Sequence, residues 1–181
     1  MTTGTTNQHS RPARHPRADG ERTRAAILGA AASLATVGEA ERIFTAEVVR
    51  PALAARPGLA QLAAACEAFL GYVQRGVFPG GCFFAAPALE MGTHPGPVKD
   101  RVAAIQSGFT ALVRGFAATA LEQHELPARE DPDRLAFELH AILLAADTKF
   151  ILNDDPAALD LARQIVRQRL GLDSGGNPSE S

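Results

Sequence analysis

A stretch of helix-breaking residues at 78–100 separates two long helical patterns and limits the possible folds more than any other feature. It reads FPGGCFFAAPALEMGTHPGPVKD. Pro79 and the two glycines after it cannot continue a helix, because proline lacks the backbone donor and glycine costs backbone entropy. A second cluster, His94-Pro95-Gly96-Pro97, breaks the chain again. The apolar residues between the two breaks predict one or two buried helical turns, inserted as a plug between long helices.

The composition favours one all-α domain. The chain has 181 residues, 46% of them hydrophobic, with no tryptophan and one tyrosine. Alternating runs of β-branched residues are almost absent, which argues against strands. Two cysteines are too few for a disulfide framework, and neither a signal peptide nor a long apolar span is visible, so we expect a cytoplasmic protein without membrane association. The net charge of −2 predicts no strong overall attraction to nucleic acid.

Apolar periodicity predicts three helices before the break. The first covers residues 22–37, and Gly38 stands where a left-handed C-terminal cap would sit. The second covers about 41–54 and should kink or end early at Pro51. The third, at 59–78, carries one continuous apolar stripe.

Three more helices are predicted after the break. Pro97 opens one that extends to about residue 122. Asp131-Pro132 and Asp155-Pro156 then each supply an N-cap followed by a proline in the first turn, and these helices should end near Asn153 and at Gly171.

The helix that ends near Asn153 is apolar on two faces, so it needs two packing partners. One stripe holds Leu135, Leu139, Ile142, Leu143 and Ala146, and the other holds Phe137, Ala141, Leu144, Thr148 and Ile151. The simplest second partner is the same helix pair of another copy, packed as a four-helix bundle about a two-fold axis. We therefore predict a homodimer whose interface contains Leu139, Leu143, Ala146, Phe150, Leu159, Ile165 and Val166.

Both ends of the chain are predicted to be disordered. Residues 1–18 are rich in threonine, arginine and proline without apolar periodicity, and 173–181 form a polar tail. The first 24 residues carry five arginines against two acidic residues. We interpret 1–18 as a basic arm that is either a solvated tail or a weak contact for DNA or RNA.

Two parts of the chain carry specific motifs. The first is RTRAAILGAAASLATVG at 22–38, and the second consists of VVRPAL, FPGGCFFAA, PGPVKDR and the helix at 135–153. The first part is similar to the first helix of the DNA-binding domain in the TetR family of bacterial transcriptional regulators. The second part resembles the C-terminal ligand-sensing and dimerisation domain of one subgroup of that family. The resemblance implies an all-helical homodimer with a remnant of the DNA-binding domain at 19–38 and a ligand-sensing domain at 39–172.

The chain departs from the family between Gly38 and Ile43. The family places a helix-turn-helix there, and its second helix enters the major groove of DNA. Here only the four residues 39–42 fill the gap, too few for two helices. We therefore expect the recognition helix to be missing and DNA binding to be weak or non-specific, through phosphate contacts of Arg22, Thr23 and Arg24.

The resemblance implies a regulator, most simply a repressor, in which a small apolar or aromatic effector controls DNA binding. The predicted effector pocket contains Phe69, Tyr72, Cys82, Phe83, Met91, Phe109, Phe116 and His140. The alternative is a stand-alone ligand-binding or dimerisation module that forms heterodimers with a full-length relative and sequesters it.

Simpler interpretations of the same residues stay open. The aromatic residues also suit a plain core. Cys82 suits a small packed hydrophobe, although a helix N-terminus would lower its pKa and make a redox thiol. His140 suits a ligand contact, a metal ligand or a hydrogen-bonded core residue. No motif supports a catalytic Cys82-His140-Asp147 group, so we expect neither an enzyme nor a bound cofactor or metal.

Overall fold

The computed structural model describes residues 34–78, 80–85 and 95–173, and the regular structure of these residues is entirely helical. This confirms the predicted all-α class. We name the helices α1 (34–54), α2 (Leu59–Gln74), α3 (Pro97–Glu122), α4 (Pro132–Asn153) and α5 (Pro156–Arg169).

Helix α1 passes through Gly38 without interruption, so the predicted C-terminal cap at that residue is wrong. Residues 34–44 are α-helical, and Gly38 is exposed there with nothing near the position of a Cβ atom. Val37 and Ala40 on either side are buried and start a stripe that continues through Phe44 and Val48. Burying this stripe outweighs the cost of about 1 kcal/mol for a glycine inside a helix. The predicted domain boundary between 38 and 39 thus falls inside α1.

Pro51 does not end α1. The helix contains one π-helical turn, Thr45–Val49, in which the Arg50 N–H donates to the carbonyl of Thr45 five residues earlier. It then continues as Arg50–Ala54. Proline has no N–H and clashes with the carbonyl four residues before it, and a wider turn relieves that clash. The predicted distortion is therefore present, but as a π turn just before the proline.

Helix α2 is the central element. It buries Leu62, Cys66, Phe69 and Val73 along one stripe and packs against α1, α3, α4 and α5. It ends at Gln74, four residues before the predicted end, because Gly76 adopts a left-handed conformation with φ of 60°. The next segment, 80–85, packs back against the core through Cys82 and Phe84.

The three later helices begin where the sequence predicts. The side chain of Asp131 accepts hydrogen bonds from the backbone N–H groups of Asp133 and Arg134 at the start of α4. The side chain of Asp155 accepts one from Ala157 at the start of α5. Gly171, with φ of 69°, follows the end of α5. Helices α4 and α5 pack against each other, and both contact α2.

The residues assigned to the dimer interface need correction. Five of them are buried inside a single chain, where they pack towards the core: Leu139, Leu143, Ala146, Leu159 and Val166. Phe150 is half-buried against the same core, and Ile165 is 39% exposed. Most of the residues assigned to the partner are therefore covered by their own chain, whereas Ala146 and Ile165 also line a groove between α4 and α5.

Helices α4 and α5 also expose large apolar residues. Phe137 is 73% exposed, Leu152 is 76% exposed and Leu161 is 53% exposed. A groove of about 270 Å³ lies between the two helices, and Leu161 lines it. Its lining is mostly apolar: Ile142, Ala145, Ala146, Lys149, Asp155, Ala157, Ala158, Leu161, Ala162 and Ile165. We call this surface the α4–α5 face.

Among the described residues, no helix combines the length and the apolar character that a membrane span requires.

Candidate ligand-binding site

A small cavity lies where α1, α2, α3, α4 and the segment 80–85 meet. It is lined by Phe44, Phe69, Cys82, Phe84, Ala85, Ile105, Gln106, Phe109, His140 and Leu144. Its volume of about 20 Å³ holds one water molecule. None of these lining residues carries a formal charge when His140 is neutral. The cavity is therefore an aromatic space with a few polar groups, as in small-molecule sites.

Phe44 holds the aromatic wall together. Its ring makes edge-to-face contacts with Phe69, Tyr72, Phe84 and Phe109, with centroids 6.4, 5.8, 5.6 and 5.3 Å away. Such pairs add roughly 0.5–1.5 kcal/mol each beyond the area they bury. One residue of α1 thus ties together α2, α3 and the segment 80–85.

The polar groups of the cavity form a short chain of hydrogen bonds. The Gln106 amide nitrogen donates to the carbonyl of Phe84 at 2.7 Å. The Thr110 hydroxyl contacts the carbonyl of Gln106 at 3.1 Å and Nδ1 of His140 at 2.9 Å. Burial lowers the pKa of His140, so its imidazole is neutral at neutral pH.

A larger groove lies outside the same wall, between α1 and α3. Its volume is about 280 Å³, and an ion pair between Glu41 and Arg101 lies at its edge. Phe44, Ile105 and Phe109 line both the groove and the cavity. These three side chains separate the two spaces, whose volumes together are near the lower limit of about 300 Å³ for ligand pockets.

Cys82 is held by a buried carboxylate of α4. Its backbone N–H donates to Oδ1 of Asp147 at 3.1 Å, and Asp147 is only 3% exposed. Gly81 has φ of 79°, and a Cβ atom there would lie 2.2 Å from the same oxygen. Only glycine fits at this position, which explains the second glycine of the GGC sequence. Burial raises the pKa of Asp147.

The thiol of Cys82 does not have the lowered pKa on which its redox interpretation depends. The pKa of the thiol is raised to about 12, mainly by burial and in smaller part by the charge of Asp147, although the backbone N–H groups of Phe84 and Ala85 act to lower it. Backbone N–H groups therefore lower the thiol pKa, as the sequence suggests, but burial raises it by more. Cys66 is buried as well, and burial raises its pKa to about 12.

The structure brings together four of the eight residues predicted for the effector pocket: Phe69, Cys82, Phe109 and His140. Phe83 is half-buried against Phe78 and Phe84. Phe116 is buried two turns farther along α3, away from the cavity. Met91 lies outside the described residues, as do Arg22, Thr23, Arg24 and the arm at 1–18.

Tyr72 packs behind Phe44 and does not line the cavity. Its hydroxyl is buried and has no hydrogen-bond partner among the described residues. Burial raises the pKa of this phenol.

Sequence reasoning missed Phe44 and Gln106. Phe44 belonged to a helix predicted to begin only about three residues before it, so its position in the middle of a longer α1 was not visible. Gln106 had a weak signal, because it is a polar residue between Val102 and Phe109 on the buried side of α3. In the described part of the chain, no three His, Cys, Asp or Glu residues are placed to hold a metal ion.

Comparison with known families gives one match. A family model described as "Tetracyclin repressor-like, C-terminal domain" matches residues 58–166, which is more than half of the chain. The matched region starts at α2 and covers α3, α4 and most of α5. No curated protein matches the chain.

Proposed function

Because this chain belongs to the TetR family through its tetracyclin repressor-like C-terminal domain, we propose that a small apolar or aromatic effector binds in the cavity between α1 and α4. The protein is a TetR-like transcriptional regulator with a ligand-binding domain. The observation that carries the proposal is the uncharged aromatic cavity, which holds Gln106 and His140 beside four phenylalanines. Repression controlled by that effector is the function it best supports.

Helix α4 connects the cavity to the α4–α5 face. His140 and Leu144 of α4 line the cavity, while Ala145 and Lys149 line the groove on the other side. An effector that widens the cavity would shift α4 and so change how two subunits pack. This is coupling between sites through a two-state dimer, and it requires the effector to bind one arrangement more tightly than the other.

The chain offers no helix-turn-helix at the place where the family carries one. Residues 38–43 lie inside α1, in an uninterrupted helix. We therefore propose that any DNA contact made by this chain is weak and non-specific. A mobility-shift titration with the promoter region of its own gene, at near-physiological salt, should show no complex that resists competitor DNA. A specific complex would contradict this part of the proposal.

The lack of a helix-turn-helix at 38–43, together with the exposed α4–α5 face, favours a second function. A chain that dimerises but lacks a recognition helix would form heterodimers with a full-length relative and keep it from its operator. Adding this chain to such a relative bound to its operator should release the DNA. Release by the wild-type chain, but not by Leu161→Arg, would support sequestration over effector-controlled repression.

The effector proposal is tested by ligand-induced stabilisation. A ligand that binds only the folded state raises the melting temperature with concentration. Neutral aromatic compounds should do so for the wild type, and Ala85→Trp, which fills the cavity, should abolish the shift. Leu53→Trp, at an exposed site on α1, is the matched control and should keep it. The proposal fails if no compound stabilises the wild type, or if both variants respond alike.

A further inference from the structure

The polar side chains of the cavity include a buried acceptor, and this restricts the chemistry of the ligand. The Gln106 carboxamide is oriented by the carbonyl of Phe84, which accepts from its nitrogen at 2.7 Å. A carbonyl oxygen cannot donate, so one N–H of the carboxamide faces it, and Oε1 and the second N–H remain. Gln106 therefore offers both an acceptor and a donor.

The contact with Thr110 leaves His140 with an acceptor alone. The threonine hydroxyl has one proton, and its oxygen is 3.1 Å from the carbonyl of Gln106, which can only accept. With that proton engaged, the contact of 2.9 Å to His140 is a hydrogen bond only if Nδ1 carries the proton and donates. A neutral imidazole with a proton on Nδ1 has a lone pair on Nε2.

We propose that the ligand of this cavity is a neutral aromatic molecule with a hydrogen-bond donor, such as a phenol or an aromatic N–H, which donates to His140 Nε2 or Gln106 Oε1. A carboxylate would meet the lone pair of His140 Nε2 and no cationic lining residue. A ligand without a donor would leave Nε2 unpaired. This inference rests on the proposed effector function and narrows it to one ligand class.

The tautomer is tested without any ligand. Long-range ¹H–¹⁵N correlation spectra of the imidazole distinguish a proton on Nδ1 from one on Nε2. For the free protein near pH 7.5 we expect the Nδ1–H form at His140, and Thr110→Val should remove that preference. Thr119→Val is the matched control, because Thr119 makes the same bond to the carbonyl four residues earlier, 3.1 Å away, on the exposed side of α3. An Nε2–H tautomer in the wild type overturns the inference.

Ligand class is tested with three naphthalenes of similar shape: 2-naphthol, 2-methylnaphthalene and 2-naphthoate. We expect His140→Phe to weaken the binding of 2-naphthol by about tenfold or more, since the hydroxyl of 2-naphthol loses a buried acceptor. The same variant should leave 2-methylnaphthalene unchanged or tighter, and 2-naphthoate should not bind. Gln106→Met repeats the test at the second acceptor, and Thr119→Val is again the control.

The outcomes separate the two proposals. Equal losses for 2-naphthol and 2-methylnaphthalene in both variants, or tight binding of 2-naphthoate, overturn the ligand class while the effector cavity stands. If none of the three binds, the inference falls, and stabilisation by any other neutral aromatic compound then decides whether the proposed function falls with it.

Discussion

At the scale of single residues, Gly81 and Asp147 fit closely together, since among the glycines of the described residues an added Cβ atom would come nearest to a neighbour at Gly81. The glycine is in a left-handed conformation, and the carboxylate occupies the space that a side chain would need. The same carboxylate accepts the N–H of Cys82 and so fixes one wall of the cavity. Gly81 and Cys82 of the segment 80–85 thus both contact Asp147 of α4.

Gly81→Ala should lower the free energy of unfolding by about 2–4 kcal/mol. A left-handed alanine costs roughly 1–2 kcal/mol, and the overlap with Asp147 adds about 1–2 kcal/mol. Gly80→Ala is the matched control, because Gly80 is exposed and nothing lies near its Cβ position. Urea unfolding measures both variants, and equal stabilities would show that the close contact is unimportant.

Asp147→Asn should remove a pH-dependent loss of stability. Burial raises the pKa of Asp147 in the folded state, so the folded chain holds this proton more tightly than the unfolded chain does. The contribution of protonated Asp147 to the stability of the folded state is therefore full below the ordinary Asp pKa of about 3.9. It is lost as the pH rises through the raised pKa of the folded state. Asparagine keeps an acceptor for Cys82 without a charge.

The stability of Asp147→Asn relative to wild type should thus increase from acidic to neutral pH, as measured by urea unfolding at several pH values. Asp100→Asn, at an exposed position of α3, controls for the general effect of removing a carboxylate. A constant difference between Asp147→Asn and wild type would rule out a buried, titrating Asp147.

At the scale of elements, α2 depends on a residue that follows α3. The carboxylate of Glu125 accepts the N–H of Leu59 at 2.7 Å, and it forms an ion pair with Arg56 at 2.6 Å. Gly58 leaves room for it, since a Cβ there would lie 2.4 Å from Oε2. These bonds lower the pKa of Glu125, so the cap is present at neutral pH. The start of the central helix is therefore completed by a loop 66 residues away.

Glu125→Ala should destabilise the chain by about 0.5–2 kcal/mol, the usual range for loss of an N-terminal cap. Glu122→Ala, at an exposed site at the end of α3, is the control and should change stability by less than about 0.5 kcal/mol. Amide exchange at Leu59 gives a local readout. Unchanged exchange in Glu125→Ala would contradict the capping role.

At the scale of the whole molecule, a subunit with a complete core still exposes the apolar α4–α5 face. The chain buries Leu139, Leu143 and Leu159 by itself, so a lone subunit has a packed interior. Phe137, Leu152 and Leu161 remain outside it. A large exposed apolar surface is typical of a protein interface.

Leu161→Arg should shift the protein from dimer to monomer without unfolding it. Sedimentation velocity at low micromolar concentration measures the change, and circular dichroism checks the fold. Leu53→Arg is a close control, because Leu53 is 52% exposed on α1 and Leu161 is 53% exposed on α5. A wild-type chain that sediments as a monomer, or equal dimerisation of both variants, would exclude the α4–α5 face as the interface.

The sequence by itself determined the features that depend only on residues close together in the chain. The all-α class follows from apolar periodicity, and the Asp131-Pro132 and Asp155-Pro156 pairs mark the first turns of α4 and α5 because caps and proline act within a few residues. Gly171 marks the end of α5 for the same reason. Four residues of the cavity were also predicted, since large aromatic and polar side chains on buried stripes are visible in the pattern.

Only the tertiary structure decided between alternatives of similar local energy. Gly38 suits both a cap and a helix interior, and packing of Val37 and Ala40 selected the interior. Helix α4 has two apolar stripes, and the positions of α2, α3 and α5 determined which residues of each pack inside the subunit: Leu139 of one is buried, and Leu144 of the other lines the cavity. The pKa of Cys82 depends on burial among residues far away in the chain. These choices rest on long-range contacts, which no short segment of the sequence contains.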